Sequence, residues 1–463
     1  MMRVFLLACI VCTALHSSGA AESQTVPEAP WLKERLEQFQ DLKFGFMMHW
    51  GPYSQWGCIE SWPLVEEDKW ARPDDLAAWT QRGKDLNRFQ ADYQALPKTF
   101  NPVKFDPGAW AKLAKTAGMR YVVFTTKHHD GFCMFDTRLT DYRVTAADVP
   151  FHTHARANVV REVFNAFRRE QFVIGAYFSK ADWHCPDYWD PGRPAHTRNP
   201  NYEPRAEPEK WARFVRFTHG QIQELMTGYG EIDILWLDAG QVRPPAQDLR
   251  MDELAAMARR HQPRLIIVDR TVGGRYENYR TPEQEVPEQP LPYVWESCVT
   301  MGTSWSYKPA DKYKSTHQLI HLLVDIVGKG GNLLLNVGPQ PDGELPPEAV
   351  LRMKEVGAWM SLNGEAIYGT RPVKPCKEGD IVFTLRGKTA YAISLAKDGE
   401  EGPPAQLSFS SLKPAPGSTA RLLGVDQPLV WRTDAAGKTI MEMPASAREA
   451  PPCRHAFVVK LQI

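Results

Sequence analysis

The chain has 463 residues, and its 55 Lys+Arg are balanced by 55 Asp+Glu, giving a formal net charge of zero. Bulk electrostatics therefore recruits neither nucleic acid nor an anionic membrane. The length exceeds one ordinary core and calls for two domains or a large barrel with an accessory unit, while fifteen Trp and fifteen Tyr supply the flat, partly polar rings that suit carbohydrate.

Arg3, the apolar run Val4–Leu15 and the small residues Ser17-Ser18-Gly19-Ala20-Ala21 form the three-part pattern of a secretory signal peptide over residues 1–21. A secreted or periplasmic protein is expected, with a mature chain starting near Ala21 or Glu22. The run is too short for a permanent membrane span, and no later segment reaches the roughly 18 apolar residues one would need. Six cysteines remain, at 58, 133, 185, 298, 376 and 453. They are dispersed and never form C-x-x-C, so a structural zinc site is not expected; one or two disulfides are permitted, without a pairing.

Residues 28–368 alternate short apolar β-type runs with helical patterns, the signature of a mainly parallel α/β fold. Phe44–Met48 is the first strand. Asp106-Pro107 opens a helix as N-cap and N1, with Trp110, Leu113, Ala114 and Ala117 at helical spacing and Gly118 closing it. Strand Tyr121–Thr126 follows. The rhythm returns as a helix near 158–170 with strand Phe172–Phe178, a helix near 209–227 with strand Ile232–Leu237, and a helix near 251–261 with strand Leu265–Asp269. It ends with a helix near 315–327 and strand Asn332–Val337. Six such strands without a G-x-G-x-x-G after the first fit a (β/α)8-like barrel better than a nucleotide-binding sheet. Gly328-Lys329-Gly330-Gly331 lies after a helix and before a strand, so it reads as a helix-ending turn and not a phosphate loop. The 186–210 segment, dense in Pro, Asp and Arg, reads as a long loop. Residues 372–463 change character: Ile381–Leu385, Thr389–Leu395, Ala405–Ser410, Thr419–Leu423 and His455–Ile463 predict a C-terminal β-sandwich.

Function is written at the strand ends. In Ile232–Asp238, period-2 alternation puts Ile234, Trp236 and Asp238 on one face, so an acid emerges beside an aromatic wall where barrel enzymes keep their chemistry. His49-Trp50-Gly51 ends the first strand, Lys127-His128-His129-Asp130 the second, Tyr177 and Ser179 the third, and Asp269-Arg270 the fifth. Together they make a polar pocket able to grip hydroxyl groups. His49, His128, His129 and Asp130 also offer metal ligands, but the adjacent His pair diverges if extended and no H-x-H or H-E-x-x-H occurs, so neither a metal nor another cofactor is expected. A second acid could be Glu283, Glu285, Glu288 or Glu296. Spacing alone leaves these open.

Phe44-Gly45-Phe46-Met47-Met48-His49-Trp50-Gly51, Thr126-Lys127-His128-His129-Asp130-Gly131-Phe132 and Gly330-Gly331-Asn332-Leu333-Leu334-Leu335-Asn336-Val337-Gly338-Pro339 resemble glycoside hydrolase family 29, the retaining α-L-fucosidases. The likeness runs from about residue 40 to 370, and Met47 and Met48 stand where aliphatics are commoner. It implies a barrel followed by a β-sandwich, with Asp238 as nucleophile and Glu283 of the Thr-x-Glu segment as acid/base. His49, His128, His129, Tyr177, Trp236 and Arg270 would hold fucose, joined by Glu60, Trp62 and Trp305. Thr281-Pro282-Glu283-Gln284 with Trp295-Glu296-Ser297-Cys298 is similar to the subgroup selective for α-1,3/1,4-linked fucose. The resulting expectation is a secreted retaining exo-α-L-fucosidase acting on fucosylated oligosaccharides or glycoconjugates. The alternatives are a broad-specificity α-L-fucosidase, a metal-dependent barrel hydrolase, and a non-hydrolytic sugar-binding protein on the same scaffold.

Overall fold

The structure, a computed structural model, describes residues 29–72 and 85–463; the 1–21 segment read as a signal peptide lies outside them. Apolar residues run unbroken along each early strand because each strand is buried on both faces. In β1 (Phe44–Met48), Phe44, Phe46 and Met48 join the outer core beneath the helices, while Met47 points into the lumen. β2 (Tyr121–Lys127) divides likewise, with Val122 and Phe124 outward and Tyr121 and Val123 inward. Gly45 is required here: a Cβ would lie 2.2 Å from the Tyr121 ring.

β3 (Val173–Ser179), β4 (Ile234–Asp238), β5 (Ile266–Asp269), β6 (Glu296–Thr300) and β7 (Asn332–Asn336) complete a seven-stranded parallel sheet in the order β5-β4-β3-β2-β1-β7-β6. The gap between β5 and β6 is bridged by residues 276–284, which bond to β5 through Asp269 N to Tyr276 O (2.8 Å) and to β6 through Gln284 N to Cys298 O (2.9 Å). Glu283 thus sits on the irregular segment that closes the barrel.

Helices α1 (Pro30–Leu42), α2 (Leu86–Gln94), α3 (Pro107–Thr116), α4 (Val159–Arg169), α5 (Pro208–Gly228), α6 (Met251–His261), α7 (Thr316–Gly328) and α8 (Pro347–Asn363) accompany the strands. Asp106 caps α3 by accepting from Gly108 N and Ala109 N, as its sequence signal implies, and α7 ends at Gly328 in the expected turn, with Gly330 at φ +89°. α1 does not lie on the shell. Its Leu32, Leu36 and Phe39 plug the lumen from below, where Phe39 stacks on Tyr279 at 4.4 Å.

Two elements depart from the sequence expectation. β6 reads as polar, Glu-Ser-Cys-Val-Thr, yet all five residues are buried, so alternation of polarity gives no strand signal. α1 carries charges on most of its turns and buries only a narrow apolar stripe.

The C-terminal unit is a β-sandwich. One antiparallel sheet contains β8 (Arg371–Glu378), β9 (Ile381–Arg386), β10 (Thr389–Leu395), β12 (Ala420–Leu422), β13 (Pro428–Leu429) and β16 (Ala456–Gln462). The other contains β11 (Gln406–Phe409), β14 (Trp431–Thr433) and β15 (Thr439–Glu442). Phe383, Leu407, Phe409, Leu422, Met441 and Phe457 fill the space between them. The opposite face of the larger sheet, through Val382, Tyr391, Ile393 and Val458, joins the core beneath the barrel helices. Cys133, Cys185, Cys298, Cys376 and Cys453 are free thiols.

Candidate active site

Register sets the layers of the site. Tyr177 lies opposite Trp236 and Ser179 opposite Asp238 in the parallel β3–β4 pair, so Asp238 stands one layer above two rings whose centroids are 5.3 Å apart. A cavity of about 820 Å³ opens at this end of the barrel, inside the about 300–1,000 Å³ range of small-molecule sites. Every residue to which the resemblance gives a catalytic or fucose-holding role lines it: Asp238, Glu283, His49, Glu60, Trp62, His128, His129, Tyr177, Trp236, Arg270 and Trp305.

Arg270 organises the two acids. Its Nη1 donates to Asp238 Oδ1 at 2.9 Å and its Nη2 to Glu283 Oε2 at 2.7 Å, while Nε is held by Thr281 Oγ1 at 3.0 Å. The guanidinium also lies 4.4 Å over the Trp236 ring, so the fork is fixed in plane as well as in position. Asp238 Oδ2 accepts from the Tyr177 hydroxyl at 2.7 Å. Burial acts to raise the Asp238 pKa, but Arg270, His129 and the Tyr177 bond together hold it well below the ordinary carboxylate range. Asp238 is therefore an anion at neutral pH.

The three histidines are neutral, and two of them are presented as acceptors. Ser179 Oγ donates its proton to Ala181 O at 2.7 Å, so its 2.6 Å contact with His129 must be donated by Nδ1–H. That leaves the His129 Nε2 lone pair facing the cavity, 3.8 Å from Asp238 Oδ2. Asn336 fixes His49 in the same way: its Nδ2 donates to Trp305 O at 2.6 Å, so its Oδ1 accepts from His49 Nδ1 at 2.9 Å. His128 Nδ1 meets Ser61 Oγ. Burial lowers the pKa of His49 and His129 to about 4 and holds that of His128 well below the ordinary imidazole range.

Glu60 is fully buried, and neither carboxyl oxygen has a hydrogen-bond partner among the described residues. Burial raises its pKa to about 8, opposed by the neighbouring Ser306, with the charges of Glu283 and Asp238 adding to the rise. A protonated Glu60 gives the cavity a donor among acceptors.

These shifts set opposite pH dependences. A histidine held below its unfolded pKa of about 6.5 costs nothing above that pH; below it, the unfolded chain takes up protons that the folded chain refuses, and stability falls until the folded pKa is reached. Glu60, Asp130 and Glu296, raised to about 8, 7 and 7, work in reverse. Their penalty begins as pH rises past the unfolded carboxyl pKa, 3.8 for Asp130 and 4.5 for the two glutamates, and grows until the folded value is passed. In urea denaturation between pH 5 and 6, His49→Asn is expected to remove about 1.2 kcal/mol per pH unit from the acid-side slope, since the folded pKa near 4 lies below that window and the unfolded one near 6.5 above it. An unchanged slope would mean that His49 titrates normally.

The backbone turns sharply after each charged group. Ala239 (φ +70°), Thr271 (φ +60°) and Gln284 (φ +55°) directly follow Asp238, Arg270 and Glu283, and Glu60 itself has φ +42°. None is glycine, so each conformation carries local strain, of the kind that gathers at functional sites.

Several strand-end groups have purely structural partners. Asp130 turns from the cavity to accept from Phe132 N at 3.1 Å and Tyr93 OH at 3.0 Å. Lys127 pairs with Asp182 at 2.9 Å, and Asp269 is bonded by Lys180. Glu296 lies beneath the site, accepting from Trp236 Nε1 at 3.1 Å, and Glu285 and Glu288 are exposed away from the lining. Conversely, Asn336, Ser61 and Thr281 position pocket residues without having been given a role, although Asn336 and Thr281 lie within quoted motifs and Ser61 lies between Glu60 and Trp62. The adjacent His128 and His129 do not diverge: the strand ends at Lys127, so alternation no longer applies, and their ring centroids are 4.2 Å apart. Their nitrogens and Asp238 lie within 4.8 Å of one another, a spacing compatible with a metal ion. Arg270 already supplies a cation to that carboxylate, and a divalent ion beside it would meet direct repulsion.

The α-L-fucosidase family model matches residues 12–365. Human tissue α-L-fucosidase is 28% identical over 480 residues, covering 96% of this chain and 94% of its own length. The solved α-L-fucosidase isoenzyme 1 from Paenibacillus thiaminolyticus is 32% identical with a TM-score of 0.76, over 93% of this chain and 99% of its own. The Thermotoga maritima α-fucosidase is 27% identical with a TM-score of 0.73, over 92% and 96%. With the barrel, the sandwich and the cavity as described, these likenesses establish that the chain belongs to the α-L-fucosidases of glycoside hydrolase family 29.

Proposed function

We propose a secreted, retaining exo-α-L-fucosidase that releases α-1,3/1,4-linked L-fucose from fucosylated oligosaccharides or glycoconjugates. The observation that carries the mechanism is the single Arg270 guanidinium holding Asp238 on one nitrogen and Glu283 on the other. Retention needs two carboxyl groups about 5–5.5 Å apart, and a shared guanidinium keeps them within reach of that separation. In the first step Asp238 Oδ attacks the anomeric carbon while the Glu283 carboxyl protonates the departing glycosidic oxygen. A fucosyl ester on Asp238 forms and the aglycone leaves. In the second step Glu283 takes a proton from water, which attacks the same carbon and frees fucose with its configuration retained.

His49 and His129 accept hydrogen bonds from sugar hydroxyls at their neutral nitrogens, His128 offers a third neutral ring nitrogen, and Glu60 donates in return. Tyr177 and Arg270 fix Asp238 and balance its charge before attack. Trp236, Trp62 and Trp305 supply faces for the ring and its methyl group.

Linkage preference rests on the likeness of Thr281–Gln284 and Trp295–Cys298 to the α-1,3/1,4-selective subgroup. Secretion rests on the pattern of residues 1–21, and no described helix is long and apolar enough to cross a membrane. Matched trisaccharides carrying α-1,2-, α-1,3- or α-1,4-linked fucose test the preference. The 1,3 and 1,4 isomers should release fucose at least about tenfold faster, a difference of about 1.4 kcal/mol in transition-state binding. Equal or faster release from the 1,2 isomer would assign the broad-specificity reading instead.

A further inference from the structure

Rings run in series outward from Asp238. His129 Nε2 is 3.8 Å from Asp238 Oδ2, Trp62 is 4.9 Å from His129, and Trp70 is 6.1 Å from Trp62, the last two between centroids. Trp62 is hemmed in by His129, Trp183 and the Arg198 guanidinium, which lies 4.5 Å over its ring. Trp70 differs. It lines the same cavity but is 55% exposed.

An exposed indole is normally free to swing, and this one is pinned. Its Nε1 donates to Asp68 Oδ1 at 3.0 Å, and the buried Asp68 is itself gripped by Arg198 at 2.9 and 2.6 Å. Arg198 comes from the long 180–207 connection, which also meets the 57–72 loop through Glu67 N to His196 O (3.1 Å) and Arg198 N to Glu67 Oε1 (3.2 Å). Two long loops are thus fastened together so that one bare aromatic face is held at a set angle beside the mouth. Holding such a face in water is unfavourable unless something covers it, and the C–H face of a pyranose has the right shape and polarity. Gln241, Arg243 and Thr303 line the same cavity and supply donors and acceptors for that ring's hydroxyls.

We infer that Trp70 is the platform of an aglycone subsite, stacking on the pyranose to which the departing fucose is attached. This rests on the reading of the Asp238 end as the fucose subsite. The Asp68–Arg198 pair acts through Trp70 by fixing its angle.

The test compares α-fucosyl fluoride, whose leaving group has no ring, with a fucosylated trisaccharide, in wild type, Trp70→Ala and Trp70→Phe. For the trisaccharide, Trp70→Ala should lower kcat/KM at least about tenfold, mainly through KM, and Trp70→Phe should recover most of it. For the fluoride both variants should stay within about twofold of wild type. Equal losses on both substrates, or no loss on the trisaccharide, overturn the inference. A wild-type enzyme inert toward the fluoride would overturn the fucose-subsite reading instead. Thermal denaturation of each variant separates misfolding from lost stacking.

Discussion

Asp238→Gly is expected to lose at least about 10⁴-fold in kcat/KM on any α-fucoside, the scale on which removing a covalent nucleophile acts. The loss should be equally severe for substrates with good and poor leaving groups, because forming the fucosyl ester depends on this carboxylate in every case. Azide should then restore turnover by entering the vacated space and attacking the anomeric carbon directly. One displacement inverts configuration, so the product is β-fucosyl azide. The structure makes this variant tractable. Asp238 is bonded by Arg270 and Tyr177 from two sides, and its removal leaves a guanidinium that can receive an anion. Product analysis by NMR decides the matter: rescue giving the α-azide, or residual activity within about a hundredfold of wild type, would remove Asp238 from the nucleophile's role.

The strand that carries Asp238 is legible because its physics is local. Ile234, Leu235, Trp236 and Leu237 are buried on both faces, so the apolar run shows in the sequence and ends where the cavity begins. The same reasoning brings His49, His128, Tyr177 and Arg270 to one barrel end. It does not tell a strand-end acid that works from one that merely bonds backbone or lysine: Asp130 and Asp269 look like Asp238 in sequence, yet they serve Phe132, Tyr93 and Lys180. What separates them is distant in the chain, chiefly the guanidinium that Arg270 brings to Asp238.

β6 is hidden for a related reason. Glu296 enters the lumen below Trp236, where an indole N–H and burial replace solvent, so a polar sequence becomes a core strand. The left-handed turns at Ala239, Thr271 and Gln284 leave no mark at all, since those residue types have no preference for that conformation. Nor does any local pattern announce that Asp68 and Arg198, 130 positions apart, join two loops at the mouth. Such contacts arise from the closed barrel, which brings the connections of distant strands to one rim.

Glu283→Ala should behave differently from Asp238→Gly, and the difference is diagnostic. Without its acid, the enzyme must expel an unprotonated glycan oxygen, so kcat/KM on a fucosylated trisaccharide is expected to fall about 10²–10⁴-fold, the usual worth of general acid–base catalysis. α-Fucosyl fluoride needs little protonic help to depart, so the first step on that substrate should survive and the fucosyl ester on Asp238 should accumulate. Azide needs no general base. It should release the ester by a second displacement and yield α-fucosyl azide, the opposite anomer from the Asp238 variant. The geometry favours Glu283 over its neighbours: it alone of Glu283, Glu285, Glu288 and Glu296 lines the cavity, and its side chain is 46% exposed and bonded to the guanidinium that also holds Asp238. Glu296→Ala would instead remove a buried partner of Trp236, lowering thermal stability, and added azide should not restore its activity. If azide rescued Glu296→Ala and left Glu283→Ala inactive, the acid/base would have to be reassigned to the residue beneath Trp236, and the bridging role of Arg270 would need another explanation.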